Sequence, residues 1–267
     1  MAYASGVATP RAEHLAPIAL QMWTLHEAAS QDLLGVLSEV AAIGYVGVET
    51  YDLYGQAPKA VRARLAELGL ELCSSHAPFP AGERATEILD QYAELGAGTL
   101  VWSLEPAEFA SVDGIRRGAE RINEAVANAA SYGLRIGYHN HFAEFRNAFD
   151  GRSAYEILLA ELDPAVVLEL DTYWAQTGGA DPAALAASLG DRLEYIHLKD
   201  GPAQGMDDQM VPYGEGVVDI DEVVRANPAV RWNLVEIDRS EREISWLLRD
   251  CNDYLVGRGL GSGKVAA

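Results

Sequence analysis

The sequence predicts an α/β fold, a single (β/α)8 TIM barrel, with its chemistry at the C-terminal ends of the strands. Three observations carry that expectation. Short apolar runs alternate with longer amphipathic ones eight times without a break, the pattern of parallel strands joined by right-handed helical crossovers. Glycines stand between helix and strand at Gly44, Gly69, Gly96 and Gly133, where a left-handed residue readily closes a helix. No glycine-rich phosphate loop follows the first apolar run, which continues instead as Leu25-His26-Glu27-Ala28. That disfavours an open dinucleotide-binding sheet.

In order along the chain, strands are expected at 18–25, 46–50, 71–77, 99–104, 135–140, 166–173, 193–199 and 232–237. Helices are expected between and after them at 32–43, 58–68, 83–95, 114–132, 153–162, 182–189, 220–226 and 241–256. Asp181 before Pro182 reads as an N-cap followed by proline at the first helical position. The unit recurs about every thirty residues, as internal repetition in a barrel should. Residues 1–17 read as a loose leader without the basic-then-apolar pattern of a secretory signal, 18–258 as the barrel, and 259–267 as a glycine-rich flexible tail.

Composition narrows the function. A net charge of −20 argues against nucleic-acid and anionic-membrane partners, which need a basic surface. No run approaches the ~18 apolar residues of a membrane span. The two cysteines, Cys73 and Cys251, do not make a disulfide framework and are expected as buried reduced thiols in a cytoplasmic protein.

Polar residues gather where the strands stop. Four of the six histidines, His76, His139, His141 and His197, fall at predicted strand ends, together with Glu49, Asp171, Lys199 and Glu236. One such residue alone is usually a satisfied structural group. Several buried at one apolar mouth cost several kcal/mol each unless a cation or partners compensate. The best ligand set is Glu144, Asp171, His197 and Glu236, one from each of the last four units, spaced by 27, 26 and 39 positions. Three carboxylates and an imidazole without a thiolate suit one divalent ion, Mn²⁺ or Mg²⁺ first, with Co²⁺, Fe²⁺ or Zn²⁺ accommodated. The long last interval holds 201–216, a Gly- and Asp-rich segment expected as a loop over the mouth, read either as a substrate lid contributing Tyr213 or Glu215 or as plain surface irregularity.

The segments YHNHFAEF (138–145), LELDTYWAQTGG (168–179), YIHLKD (195–200), YGEGVVDI (213–220) and VEID (235–238) resemble the sugar phosphate isomerase/epimerase group of xylose isomerase-like barrels. With the early strands, the resemblance covers nearly all of 18–258. It implies a single divalent ion on a Glu–Asp–His–Glu set, carried over to Glu144, Asp171, His197 and Glu236. In the related ketose 3-epimerases the first glutamate sits on the strand itself, where this chain has His139. Glu144, His139 and His141 therefore all stand as candidates for the first ligand. Those epimerases also carry a histidine three residues after the aspartate, where this chain has Trp174, a departure from a simple ketose 3-epimerase.

The chemistry such a site supports is proton removal beside a carbonyl, with the metal stabilising the enediolate. His139 and His141 are the candidate bases, and Lys199, on the same strand face as His197, the candidate oxyanion partner. Trp23, Glu49, His76, Trp102, Trp174 and Tyr213 are expected to contact a small sugar or polyol, the tryptophans by stacking on its apolar face. The first expectation is a metal-dependent isomerase or epimerase. A close second is a lyase, by β-elimination on a 3-oxo-glycoside (C- or O-deglycosylation included) or by inosose dehydration. The third is a non-catalytic sugar-binding or partner subunit, and a homo-oligomer or an assembly with a partner subunit is compatible with any of them. A phosphodiester nuclease on this barrel would need a basic groove, against the −20 charge.

Overall fold

The computed structural model describes residues 15–264; leader positions 1–14 and tail positions 265–267 lie outside the described residues. Eight strands, all parallel, close into a barrel: β1 (Ile18–Gln21), β2 (Gly47–Thr50), β3 (Glu71–His76), β4 (Thr99–Trp102), β5 (Arg135–His139), β8 (Val167–Asp171), β9 (Leu193–Leu198) and β10 (Trp232–Val235). A two-stranded antiparallel hairpin, β6 (Ala148–Phe149) and β7 (Arg152–Ser153), sits in the segment after β5. Around the barrel run α1 (His26–Ile43), α2 (Pro58–Leu68), α3 (Ala85–Leu95), α4 (Val112–Ala130), α5 (Ala143–Arg146), α6 (Ala154–Glu161), α7 (Thr172–Thr177), α8 (Pro182–Leu189), α9 (Ile220–Ala226) and α10 (Ile244–Gly257). β1 pairs with both β2 and β10, which closes the cylinder.

Several boundaries differ from the sequence expectation for identifiable reasons. The first strand stops at Gln21, because that side chain accepts the Trp23 N–H at 3.0 Å and starts a short 3₁₀ turn leading straight into α1. After β8, Asp171 accepts the Trp174 N–H at 2.8 Å and caps α7, so the strand expected to reach 173 ends at 171. Polar capping overrides apolar periodicity at both places. The tail was expected to be loose from 259, yet Leu260 is buried and Ser262 bridges to Pro17 at the base of the barrel. Ile18 N–H donates to Ser262 at 3.0 Å and Lys264 N–H to Gly44 at 2.8 Å, so 259–264 belongs to the domain, as do Ala16 and Pro17. Both cysteines are buried and unpaired. No described helix is long and apolar enough to cross a membrane.

The apolar core lies mainly between the strands and the helices. A smaller cluster of Ala19, Cys73, Val167, Tyr195, Trp232 and Leu234 is centred on the barrel strands. Two irregularities interrupt the strand ladder. Pairing of β2 with β3 skips Cys73, and pairing of β8 with β9 skips Glu194. Such bulges re-aim the residues that follow, here His76 and His197.

The segment 201–216 folds around one carboxylate. Asp200, 1% exposed, accepts N–H groups from Gly201 and Val218 on Oδ1 at 2.8 and 3.1 Å. On Oδ2 it accepts those of Gly214 and Gly216 at 2.8 and 3.1 Å. A Cβ at Gly216 would lie 2.1 Å from Asp200 Oδ1, so only glycine lets the backbone approach this closely. Asp200→Ala leaves buried donors without a partner, at about 1–3 kcal/mol for each that water cannot reach. Chemical denaturation should show a loss of about 2–4 kcal/mol on that basis, with faster amide exchange through the segment; an unchanged midpoint would show that Asp200 does not hold it.

Candidate active site

The mouth of the barrel has two chemically different halves. On the side of β5, β8, β9 and β10, period-two alternation sends ionisable groups inward: Glu169 and Asp171 from β8, His197 and Lys199 from β9 and the residue after it, Glu236 just past β10. All of these are at most 5% exposed.

A deeper tier is organised by two glutamates. Glu49 receives the Gln21 amide and, on Oε2, the Ser74 hydroxyl at 2.5 Å. His197 Nε2 lies 2.9 Å and His76 Nε2 3.2 Å from Glu49 Oε1. Glu169 Oε1 is approached by His76 Nε2 at 2.8 Å, His139 Nδ1 at 2.9 Å and His197 Nε2 at 3.1 Å. Nearer the mouth, His197 Nδ1 lies 2.7 Å from Glu236 Oε2. Lys199 Nζ stands 2.9 Å from Asp171 Oδ2, 2.6 Å from Glu236 Oε2 and 2.9 Å from Asp238 Oδ2. His139 Nε2 faces Asp171 Oδ2 at 3.7 Å.

Protonation follows from this packing. Burial works against the charge of His197, but Glu169, Glu236 and Glu49 outweigh it and hold its pKa well above the usual value. Burial likewise opposes the Lys199 ammonium, and Asp171, Asp238 and Glu236 overcome it. Burial pushes Asp171 up to about 6, with Lys199 pulling down and Glu236 pushing up. Burial takes His141 down to about 4, assisted by the Lys199 charge, so its imidazole is neutral at pH 7.

The donor set fits a divalent cation. Five carboxylates (Glu49, Glu169, Asp171, Glu236 and Asp238) face Lys199 and the two imidazoles whose charged form is favoured, His76 and His197. With every carboxylate ionised, the cluster is two positive charges short of balance. Buried Glu169 Oε2 has no hydrogen-bond partner, and Asp171 Oδ2 has only the Lys199 ammonium close by, at 2.9 Å, a charge it shares with Glu236 and Asp238. Asp171, His197 and Glu236 each offer a ligand atom, all within 4.8 Å of one another, and His76, His139, Glu169 and His197 make a second such group beneath. The upper group suits an ion open to a substrate, since it borders the mouth and two of its three residues are carboxylates, which offer oxygens of hard character.

Of the residues expected from sequence, the structure brings together Asp171, His197, Glu236, His139, His76 and Lys199, with His141 beside them: its ring centroid is 5.0 Å from that of His139. Glu144 does not join them. Its strand neighbour Tyr138 points outward between strand and helix, and the Glu144 carboxylate turns to the Tyr138 hydroxyl at 2.6 Å and the His141 N–H at 3.0 Å. His139, on the strand itself, groups with His76, Glu169 and His197 in the deeper tier, its Nε2 3.7 Å from Asp171 Oδ2. Glu49 is not a substrate contact, because Gln21, Ser74 and two imidazoles enclose it. Tyr213 is also misplaced by the sequence expectation: its hydroxyl donates to Leu198 O at 2.9 Å and its ring packs on Tyr254, behind the strands. Glu215 is exposed and pairs with Arg242 rather than covering the mouth.

The opposite half is aromatic. Trp23 stacks on His26 at 4.2 Å and meets Tyr51 edge-on at 4.8 Å; Tyr51 reaches Trp102 at 6.3 Å, and Trp102 reaches His76 at 6.0 Å. Trp174, on α7, lies across from this arc with Lys199 Nζ 5.5 Å above its ring. Clefts of about 390 Å³ also lie beside α8 and α9 and at the opposite end of the strands, away from these groups. Glu169, Asp238 and Tyr51 were missed as site residues. Parity would have found the first two, each being two positions from Asp171 or Glu236.

Comparison with known proteins agrees with this architecture. The family profile described as xylose isomerase-like TIM barrel matches residues 37–227. The chain is 30% identical over 198 residues to an inosose dehydratase of Geobacillus kaustophilus, covering 62% of this chain and 61% of that protein. It is 31% identical over 199 residues to a 3-dehydroshikimate dehydratase of Pseudomonas aeruginosa, covering 67% of this chain and 31% of that one. The match thus spans less than two thirds of either relative. A crystal structure of a sugar phosphate isomerase/epimerase from Parabacteroides distasonis superposes with a TM-score of 0.77 at 22% identity, covering 92% of this chain and 100% of that one.

Metal analysis after Mn²⁺ loading and desalting should find about one ion per chain, lost in Asp171→Asn and in Glu236→Gln with the circular dichroism unchanged. Full retention of the ion by both variants would remove these residues from the ligand set.

Proposed function

The chain belongs to the xylose isomerase-like TIM barrel family, and on that premise we propose that it is a metal-dependent lyase removing water from a cyclic polyhydroxy ketone. The observation that carries this reading is the divided mouth, with ionic groups on one side and the Trp23–Tyr51–Trp102 arc on the other. A carbocyclic polyol ketone matches both halves, since its ring C–H bonds stack on aromatic faces while its carbonyl and hydroxyls meet charge. The dehydratase names of the two sequence relatives support elimination. The isomerase/epimerase expectation is supported only at the level of fold, by the structural neighbour.

Asp171, His197 and Glu236, with His139 alongside, are the residues that would hold a divalent ion. Such an ion supplies Lewis-acid polarisation of the ketone oxygen. The remaining work falls to side chains of this chain. His141, neutral and half-buried at the mouth, takes the proton from the carbon next to the carbonyl. The Lys199 ammonium, buried and held charged by its carboxylates, stabilises the negative charge that develops on the oxygen. As the new C=C bond forms, the C–O bond at the next carbon breaks. The departing hydroxyl leaves as water with the proton that His141 carries, which returns the imidazole to its neutral form. Trp174 and the aromatic arc keep bulk water from the reacting face.

Incubation of the metal-loaded protein with inosose and with 3-dehydroshikimate in D₂O tests the reading. Loss of water, seen by mass and by the absorbance of the more unsaturated product, is the expected result for at least one of them. Deuterium entering the recovered ketone, with no water lost from either compound, would overturn elimination in favour of isomerisation or epimerisation. In the same assay His141→Ala should lower the rate by about a hundred-fold or more while keeping the ion; an unchanged rate would assign the base elsewhere.

A further inference from the structure

Glu144 is an expensive residue for its location. It is fully buried, stands outside the ion cluster, and keeps one oxygen, Oε2, without any hydrogen-bond partner. A carboxylate placed so costs several kcal/mol relative to an apolar side chain of the same size. Its other oxygen receives two donors from the strand that feeds the mouth, the Tyr138 hydroxyl at 2.6 Å and the His141 backbone N–H at 3.0 Å.

The second of those bonds lies where the sheet no longer supports the chain. The last β5–β8 pair is His139 with Glu169, so the backbone from Asn140 onward has no ladder. Asn140 replaces it on one side, its Nδ2 donating to Asp171 O at 3.1 Å and its Oδ1 accepting Asp171 N–H at 3.0 Å. Glu144 replaces it on the other. His141 stands between these two clamps, while no side-chain hydrogen bond of its own fixes its imidazole among the described contacts.

We propose that Glu144 is a positioning residue, anchoring the His141 backbone to the outward-facing Tyr138 so that the His141 imidazole is aimed at the substrate carbon. This rests on the reading of His141 as the base. A single oxygen that accepts from both the Tyr138 hydroxyl and the His141 N–H ties the turn to the strand, and a misplacement of about 1 Å in a reacting group costs about a hundred-fold in rate. Together these account for a buried carboxylate where an apolar side chain would pack at lower cost.

The test compares Glu144→Ala, Glu144→Gln and His141→Ala by divalent-ion content, by kcat and KM for inosose dehydration, and by deuterium exchange at the carbon next to the carbonyl. Glu144→Ala should keep its ion and its KM within about two-fold, while kcat and exchange fall about ten- to a hundred-fold. Glu144→Gln, whose amide oxygen still accepts both donors, should recover kcat to within about three-fold of the native enzyme. Wild-type kcat in Glu144→Ala, or a Gln variant as slow as the Ala variant, overturns the proposal. Loss of the ion from Glu144→Ala overturns it too, since that is how a ligand behaves. If His141→Ala exchanges at the native rate, the base assignment falls and this inference with it. A slow His141→Ala beside a native-rate Glu144→Ala overturns the inference alone. Should Glu144→Ala not fold, Glu144→Asp, whose shorter arm does not span both donors, carries the same comparison.

Discussion

Within a few ångströms of His197, the carboxylates of Glu49, Glu169 and Glu236 converge on a single imidazole, and Asp171 and Asp238 crowd the one ammonium of Lys199 beside it. Water is excluded from nearly all of them. Charges of one sign buried together repel strongly in a medium of low dielectric, and each loses its hydration. The barrel tolerates the arrangement because strands on every side fix the partners in place, and a doubly charged cation would complete the balance that the side chains leave short.

The same constraint explains how the mouth is divided. A compact cluster of ionisable groups among β5, β8, β9 and β10 leaves the other half free to be apolar, and that half carries Trp23, Tyr51 and Trp102. Loops are arranged accordingly. The segment after β9 is tied down by Asp200 instead of swinging over the site, and Tyr213 anchors it from behind by bonding Leu198. The groups of the candidate site then stand on rigid strand ends and the first turns after them, where positions are held more precisely than on long loops.

Periodicity made the barrel legible, because eight alternating units leave few alternatives once crossovers are right-handed. Helices 58–68, 182–189 and 220–226 have the bounds that proline and cap residues imply. What the pattern did not reveal were short polar capping events: Gln21 and Asp171 each end a strand early by accepting an N–H from the following turn. Asp171, His197 and Glu236 were readable because they sit on or just beyond strands whose parity is fixed. Glu144 was misread because it lies past the end of β5, where spacing along the chain no longer says which way a side chain turns. Tyr213 failed for the same reason, on a long segment whose path depends on Asp200.

Anomalous diffraction from crystals soaked in Mn²⁺ tests most directly whether the buried negative charge at the mouth is a cation site. A single strong peak bounded by Asp171, His197 and Glu236 is expected, at about 2.0–2.3 Å from their ligand atoms, with Lys199 Nζ moved away from Asp171 and Glu236. A peak elsewhere in the barrel, or none at saturating Mn²⁺ with the lysine still seated among the carboxylates, would contradict it.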